Sequence, residues 1–249
     1  MDPAKRHCLL PGNAYMPPKH SDNGNDSWEL VDTAAIPGQG TELQLYRRDG
    51  EFSISILGGG VLMSTWAHQS EDALAELACR KIATRDQPRV LIGGLGMGFT
   101  LAAALHHLGD TAEVVVAELV PAVVAWNRGP LGSFSGHPLE DRRVKVREGD
   151  VAKVLREQRQ AYDAILLDVD NGPEGLTRKK NDWLYGSDGL TEAYRALRPS
   201  GVLAIWSAGP DRDFMQRLQK IGFKVKQVRV REHQNKGDLH AIWFAEREA

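Results

Sequence analysis

The sequence predicts an α/β protein: a doubly wound, seven-stranded sheet preceded by a small β-meander. Three observations carry this. Beyond Gln87-Pro88, short apolar runs alternate with helical segments, the pattern of βαβ units around a buried parallel sheet. The first of these runs, RVLIGG, breaks into closely spaced glycines and passes directly into the helical stretch TLAAALHHLG. Before Gln87 the runs are shorter, alternate in polarity and are joined by Asp49-Gly50, a hairpin signal. At ~150 residues per domain, 249 residues make one large domain with a small appendage. The divisions expected are a flexible arm over residues 1–27, the meander over 28–69 and a Rossmann-like domain over 70–249.

The arm is dense in Pro, Gly, Asn and Asp (PGNAYMPPKHSDNGNDS), with no period of either 2 or 3.6. ELQLY, EFSISI and VLMST follow as strands, separated by RRDG and GGG. Ser70 is the expected N-cap of a helix with Glu71 and Asp72 in its first turn. Its apolar stripe is Ala73, Leu74, Leu77 and Ala78, and it ends near Ile82. The sheet strands are read at RVLIGG, EVVVAEL, VKVRE, YDAILLDV and GVLAIWS, with helices beginning near Thr100, Pro121, Val151 and Ser187. A last helix, PDRDFMQRLQKIG, precedes FKVKQVRV and LHAIWFAE, which are expected to close the sheet with an antiparallel edge.

Composition narrows the function. Apolar residues at 42% against 26% charged supply a core and argue against wholesale disorder. Lys and Arg total 31 against 33 for Asp and Glu, a net charge of -2, so no basic field exists to hold a nucleic-acid backbone. Two cysteines, Cys8 and Cys79, make no disulfide framework, and neither stands at metal-ligand spacing from a Cys or His, so no metal is expected. With no signal-like apolar stretch and no run of ~20 apolar residues, the expectation is a cytoplasmic protein that does not enter a membrane.

The strongest chemical signal is the loop of Gly94, Gly96 and Gly98, with Met97 inside it. Glycines there let backbone N–H groups approach a ligand, and the helix N-terminus behind them is partially positive. Glu118 ends the next strand, about 20 residues on, where a carboxylate accepts both hydroxyls of a ribose. The spacing is GxGxG; Phe99 stands where the dinucleotide fingerprint has its third glycine, so an S-adenosylmethionine-type ligand is favoured over NAD. Asp150 opens the helix after the third strand, where it either receives an adenine amino group or acts as an N-cap; the two roles are compatible. Leu119 and Val151 flank these acids as further cofactor-site candidates.

Asp168 and Asp170 lie at the carboxyl end of YDAILLDVDNGP, where α/β sheets place reacting groups. They are the candidate catalytic pair, suited to a cationic acceptor such as an amine. An alkylammonium of pKa about 10.4 is nearly all protonated at about pH 7, and freeing its lone pair costs ~4.6 kcal/mol. A carboxylate positions the ammonium and takes its proton. For Asp170 and Asn171 the competing reading is turn chemistry before Gly172-Pro173. Candidate acceptor contacts are His68 and Gln69, at the entry to the first helix, together with Asn171 and Tyr185, the last in a flap or a surface anchor.

The motif order resembles the polyamine aminopropyltransferases, the spermidine synthases, which share the class I methyltransferase fold. The likeness runs from about Glu42 to Glu246. It includes the meander, VLIGGLGMGFT in place of that family's glycine loop, Glu118 for its ribose carboxylate, EGD with Asp150 for its adenine contact, and YDAILLDVDNGP for its catalytic segment. The resemblance implies that Asp168 handles the attacking amine, and it implies a homodimer, which no residue pattern itself demands. Two positions depart. Met97 replaces an Asp that, in the family, engages the aminopropyl amine of decarboxylated S-adenosylmethionine, and SEDALAELA replaces a Tyr-Gln/His-Glu cluster. With Met97 neutral, intact S-adenosylmethionine is not repelled. The leading expectation is therefore methyl transfer to a small amine or similar nucleophile. The alternatives are aminopropyl transfer from decarboxylated S-adenosylmethionine, with Asp170 replacing the lost loop carboxylate, and a non-catalytic nucleoside-binding protein.

Overall fold

The computed structural model describes residues 27–169, 183–233 and 236–249. The expected arm, apart from Ser27, lies outside the described residues. The first four strands, β1 (Glu29–Ala35), β2 (Glu42–Arg48), β3 (Glu51–Ile56) and β4 (Val61–Ser64), form an antiparallel sheet in sequence order. Alternation places Leu43 and Leu45 of β2 and Phe52 and Ile54 of β3 on its buried face. β1 was not among the expected strands. Six of its seven residues are exposed, so it carries no alternation to read, and β2 is the one strand it pairs with, across a bulge between Leu30 and Asp32.

Helix α1 (Gln69–Ile82) follows. Its cap residue is His68, not Ser70, because the Ser70 hydroxyl donates to Glu71 Oε2 at 2.6 Å and the His68 carbonyl accepts from the amides of Glu71 and Asp72. The large sheet is built from β5 (Arg89–Gly93), β6 (Glu113–Glu118), β7 (Val144–Glu148), β8 (Tyr162–Leu167), β9 (Leu197–Ser207), β10 (Phe223–His233) and β11 (Lys236–Arg247). The helices are α2 (Phe99–His107), α3 (Pro121–Arg128), α4 (Val151–Glu157), α5 (Ser187–Ala196) and α6 (Arg212–Ile221).

Its order is β10-β11-β9-β8-β5-β6-β7. The last two strands close the sheet with an antiparallel edge, as expected: β10 is outermost, and β11, antiparallel to both β9 and β10, lies between them. Polarity explains the placement. β11 carries Ala241, Ile242, Trp243 and Ala245, all almost fully buried, whereas four of the eight residues of FKVKQVRV in β10 are polar or charged, which suits an outer strand.

Period-2 alternation along the parallel strands divides the core. Val90, Ile92, Val114, Val116, Ala164 and Leu166 pack toward α1, α2 and α3. Leu91, Val115, Ala117, Ile165 and Leu167 pack toward α4, α5 and α6. Strand order reverses at β5, so the carboxyl ends of β5, β6 and β8 meet at a switch point where α/β sheets hold ligands.

Candidate functional site

The glycine loop leaves β5 at this switch point. Gly94 has φ +89°, and a Cβ on it would lie 2.2 Å from the backbone oxygen of Asp168. This glycine is therefore required by the close passage of the chain leaving β8, as well as by any ligand. Gly98, at φ +84°, faces the opposite way. A Cβ there would lie 2.8 Å from both Asn127 Oδ1 and Ser135 Oγ, and the residue does not line the cleft that Gly94, Gly96 and Met97 line. The sequence reading treated the three glycines alike; the geometry separates them. Asn127, buried in α3, donates through Nδ2 to the Gly96 carbonyl at 2.8 Å and to the Val123 carbonyl at 2.9 Å, bracing the loop from behind. Sequence reasoning missed it, although a lone amide beside the apolar residues of α3 was a signal.

Glu118 ends β6 under the loop. Its Oε2 accepts from the Leu95 amide and its Oε1 from the Val120 amide, both at 2.8 Å. Burial pushes its carboxyl above the usual range, against the pull of these backbone donors. The backbone amides of Leu119 and Gly96 also act on this carboxylate, and the residue lines the cleft with Leu119. Asp150 does act as N-cap of α4, accepting the Ala152 amide through Oδ1 at 2.8 Å, and it lines the cleft with Val151. The two roles weighed for it are thus geometrically compatible.

Asp168 follows β8, with its amide donating to the Gly93 carbonyl at 2.9 Å. Thr100, in the first turn of α2, donates to its Oδ2 at 2.6 Å. Glu71 faces the same cleft from α1. Burial, reinforced by the nearby Asp168 charge, pushes the Glu71 carboxyl up to about 8, and burial raises Asp168 as well. The sequence reading left Glu71 as a first-turn helix acid. Only the packing of α1 against the sheet brings it into the cleft that Asp168 lines.

The cleft lies between the meander and the carboxyl ends of β5, β6 and β8. The meander forms one wall, through Ile36, Leu43, Ile54, Ile56, Leu62 and Met63. Four carboxylates line it, Glu71, Glu118, Asp150 and Asp168. Among the described residues it has no Lys, Arg or His in its wall.

Other expected contacts are placed elsewhere. His68 stacks on Phe99, ring centroids 4.1 Å apart, with Nδ1 2.9 Å from Asp72 Oδ2, and does not line the cleft. Gln69 is exposed at the helix start. Tyr185 is neither a flap nor a surface anchor: it is buried in the core, and its hydroxyl donates to the Val169 carbonyl at 2.9 Å, steadying the chain just past Asp168. Asp170 and Asn171 lie outside the described residues. No group of acids, cysteines or histidines suited to a metal occurs among the described residues, and no helix among them is long and apolar enough to cross a membrane.

The meander, the reversed strand order and the carboxylates at three strand ends define a class I methyltransferase-like fold of the kind found in spermidine synthases. A spermidine synthase solved with the transition-state analogue AdoDATO superposes with TM-score 0.69 at 18% identity, over 88% of this chain and 72% of that one. The spermidine synthase from Thermotoga maritima gives 0.66 at 17% identity, over 87% and 72%. These likenesses show the fold. The family is shown by sequence: the spermine/spermidine synthase domain matches residues 68–228, more than half of the chain, and the chain belongs to that family.

Curated relatives include polyamine aminopropyltransferase 1 of Streptomyces coelicolor, 35% identical over 123 residues, covering 49% of this chain and 22% of that protein. The polyamine aminopropyltransferase of Sulfolobus acidocaldarius is 26% identical over 129 residues, covering 52% and 41%. The chain thus spans less than half the length of either relative. These findings overturn the expectation of methyl transfer from intact S-adenosylmethionine, which rested on Met97 and on the replaced Tyr-Gln/His-Glu cluster. Losing one loop carboxylate does not neutralise a cleft that retains four others.

Proposed function

We propose that the protein transfers the aminopropyl group of decarboxylated S-adenosylmethionine to a small amine. The observation that carries this reading is the charge of the cleft, four carboxylates with no cationic side chain among its described lining residues. Such a wall attracts a donor bearing a sulfonium and an ammonium, and an acceptor that arrives as an ammonium. It repels the α-carboxylate that distinguishes intact S-adenosylmethionine. Removing that carboxylate removes the repulsion.

The roles follow from the bonding already described. The Glu118 carboxylate receives the ribose hydroxyls, and its backbone bonds hold it in place for them. Asp150 keeps Oδ1 on the α4 amide and offers Oδ2 to the adenine amino group. Asp168, oriented by Thr100, holds the acceptor ammonium at the carboxyl edge of β8. The apolar meander wall excludes water, so that alignment of the amine with the carbon next to sulfur supplies much of the rate.

The test is a calorimetric titration with decarboxylated and with intact S-adenosylmethionine, followed by incubation with diaminobutane and detection of methylthioadenosine. Tighter binding of the decarboxylated donor and amine-dependent release of methylthioadenosine are expected. Preference for the intact donor, or no release with any amine, would overturn the reading.

A further inference from the structure

Trp206 lines the cleft, and none of the roles above uses it. It lies near the end of β9, and the parallel register that pairs Leu167 with Ile205 puts it level with Asp168, one strand further from the glycine loop. The strand ends thus present their groups in the order in which the ligands are joined. Asp150 follows β7, Glu118 ends β6, Gly94 and Gly96 leave β5, Asp168 follows β8 and Trp206 stands on β9. Adenine, ribose and sulfonium run along β7, β6 and β5, and the reacting nitrogen falls at β8. Adjacent strands are ~4.8 Å apart, so an acceptor held at Asp168 by one nitrogen brings the rest of its chain to Trp206.

The indole ring is backed on its other side. It stacks at a tilt on the His240 imidazole of β11, ring centroids 4.8 Å apart, and His240 does not line the cleft. Topology supplies this support. β11 begins at Lys236 but pairs with β9 only from Ala241, while Leu239 and His240 still pair with Arg231 and Val230 of β10. A two-stranded ribbon therefore continues past the carboxyl end of β9 and opposes outward displacement of the ring. The indole Nε1–H is buried and makes no hydrogen bond among the described residues, so packing holds the ring rather than a bond to its nitrogen.

We propose that Trp206 is a specificity-determining residue for the acceptor: its ring, backed by His240, closes the amine end of the cleft and admits short aliphatic amines while rejecting longer ones. This rests on the aminopropyl-transfer reading. The ring meets the far end of the acceptor and not the reacting nitrogen, so it acts on which amine is used and leaves the chemistry at Asp168 alone. A chain too long to end at the ring must displace it against the ribbon, and a packed interior resists such displacement.

The test compares diaminobutane with the longer triamine spermidine as acceptors, with decarboxylated S-adenosylmethionine as donor and methylthioadenosine release as the signal. The wild type should favour diaminobutane at least about tenfold in kcat/KM. Trp206→Leu keeps the site apolar and shortens the wall, and the ratio of spermidine to diaminobutane should rise at least about tenfold, within the range that a change of shape in an apolar pocket produces. Its kcat with diaminobutane and its donor affinity should stay within about threefold. Trp206→Phe, which sacrifices no hydrogen bond, should give an intermediate ratio and decides the matter if the Leu variant does not fold. Calorimetric titration of both amines in the presence of methylthioadenosine reads the same preference without turnover.

A ratio that moves less than about twofold in the folded variants would overturn the assignment, as would a wild type that takes spermidine as readily as diaminobutane. A loss of rate equal for both amines would overturn it too, marking Trp206 as structural. If the wild type releases no methylthioadenosine with any amine, the aminopropyl-transfer reading has failed, and the amine titrations alone then decide whether Trp206 sets the length of the ligand.

Discussion

The Thr100 hydroxyl donates to Asp168 Oδ2 at 2.6 Å, joining the first turn of α2 to the end of β8 across the switch point of the sheet. This bond lowers the carboxyl's affinity for a proton, against the burial that raises it. It also fixes one oxygen, so that the other points at a ligand. Thr100→Val should retain the packing and lose both effects. A hydrogen bond to a charged group is worth about 1.5–3 kcal/mol, so kcat/KM for the amine should drop roughly 10- to 150-fold with donor affinity unchanged. Steady-state release of methylthioadenosine provides the measurement.

Stability should fall as pH rises across the neutral range. Glu71 binds its proton more tightly folded, at about 8, than at its ordinary 4.5, and Asp168 and Glu118 shift the same way. Protons retained by the folded state stabilise it fully below the unfolded pKa, and this is lost as pH rises through the folded one. Asp141, held down to about 2 by Arg143, acts in the opposite sense, and its contribution disappears on acidification below its ordinary 3.8. Tm should therefore peak near pH 5 and decline toward about pH 8. Glu71→Gln should flatten the decline, as read by calorimetric scans.

Gly94→Ala places a methyl 2.2 Å from the Asp168 carbonyl at a φ of +89°. Loop and strand end must then separate, displacing the carboxyl that faces the cleft. A loss of at least about 2 kcal/mol in urea unfolding is expected, together with weakened donor binding. Gly136→Ala, at φ +76° with open space around its Cβ, is the control: it carries the conformational strain without the collision.

The Trp126 indole N–H donates to Asp32 Oδ2 at 2.7 Å, tying β1 of the small sheet to α3, which borders the donor side of the cleft. Trp126→Phe removes this tie without leaving a buried donor unpaired. Because Asp32 is exposed, the cost should be only about 1 kcal/mol. The more sensitive readout is faster proteolytic nicking in the meander, since its edge strand has little else to hold it.

The sheet strands and the glycine loop were legible because buried parallel strands are apolar runs and a sharp strand-to-helix passage needs glycine. Glu118, Asp150 and Asp168 were legible because they end or follow strands. β1 was not legible, since an exposed strand paired with one neighbour carries no pattern, and the interior place of β11 was not, since adjacent strands do not state their order. Tyr185 was misread because a tyrosine near polar residues looks the same whether its hydroxyl meets water or, as here, the Val169 carbonyl.

By itself the sequence determined the α/β architecture, the direction of its strands up to β9 and the acids at their carboxyl ends, because these follow from local periodicity and spacing. The tertiary structure alone decided that Glu71 lines the cleft with Asp168, that Gly98 turns from the cleft while Gly94 lines it, and that His68 packs on Phe99. Each depends on how α1 and the glycine loop pack against residues far away in the chain. The charge of the cleft belongs to this second group: four acids from four separate segments make one anionic wall only when the fold brings them together, and that wall outweighs the single neutral side chain at Met97.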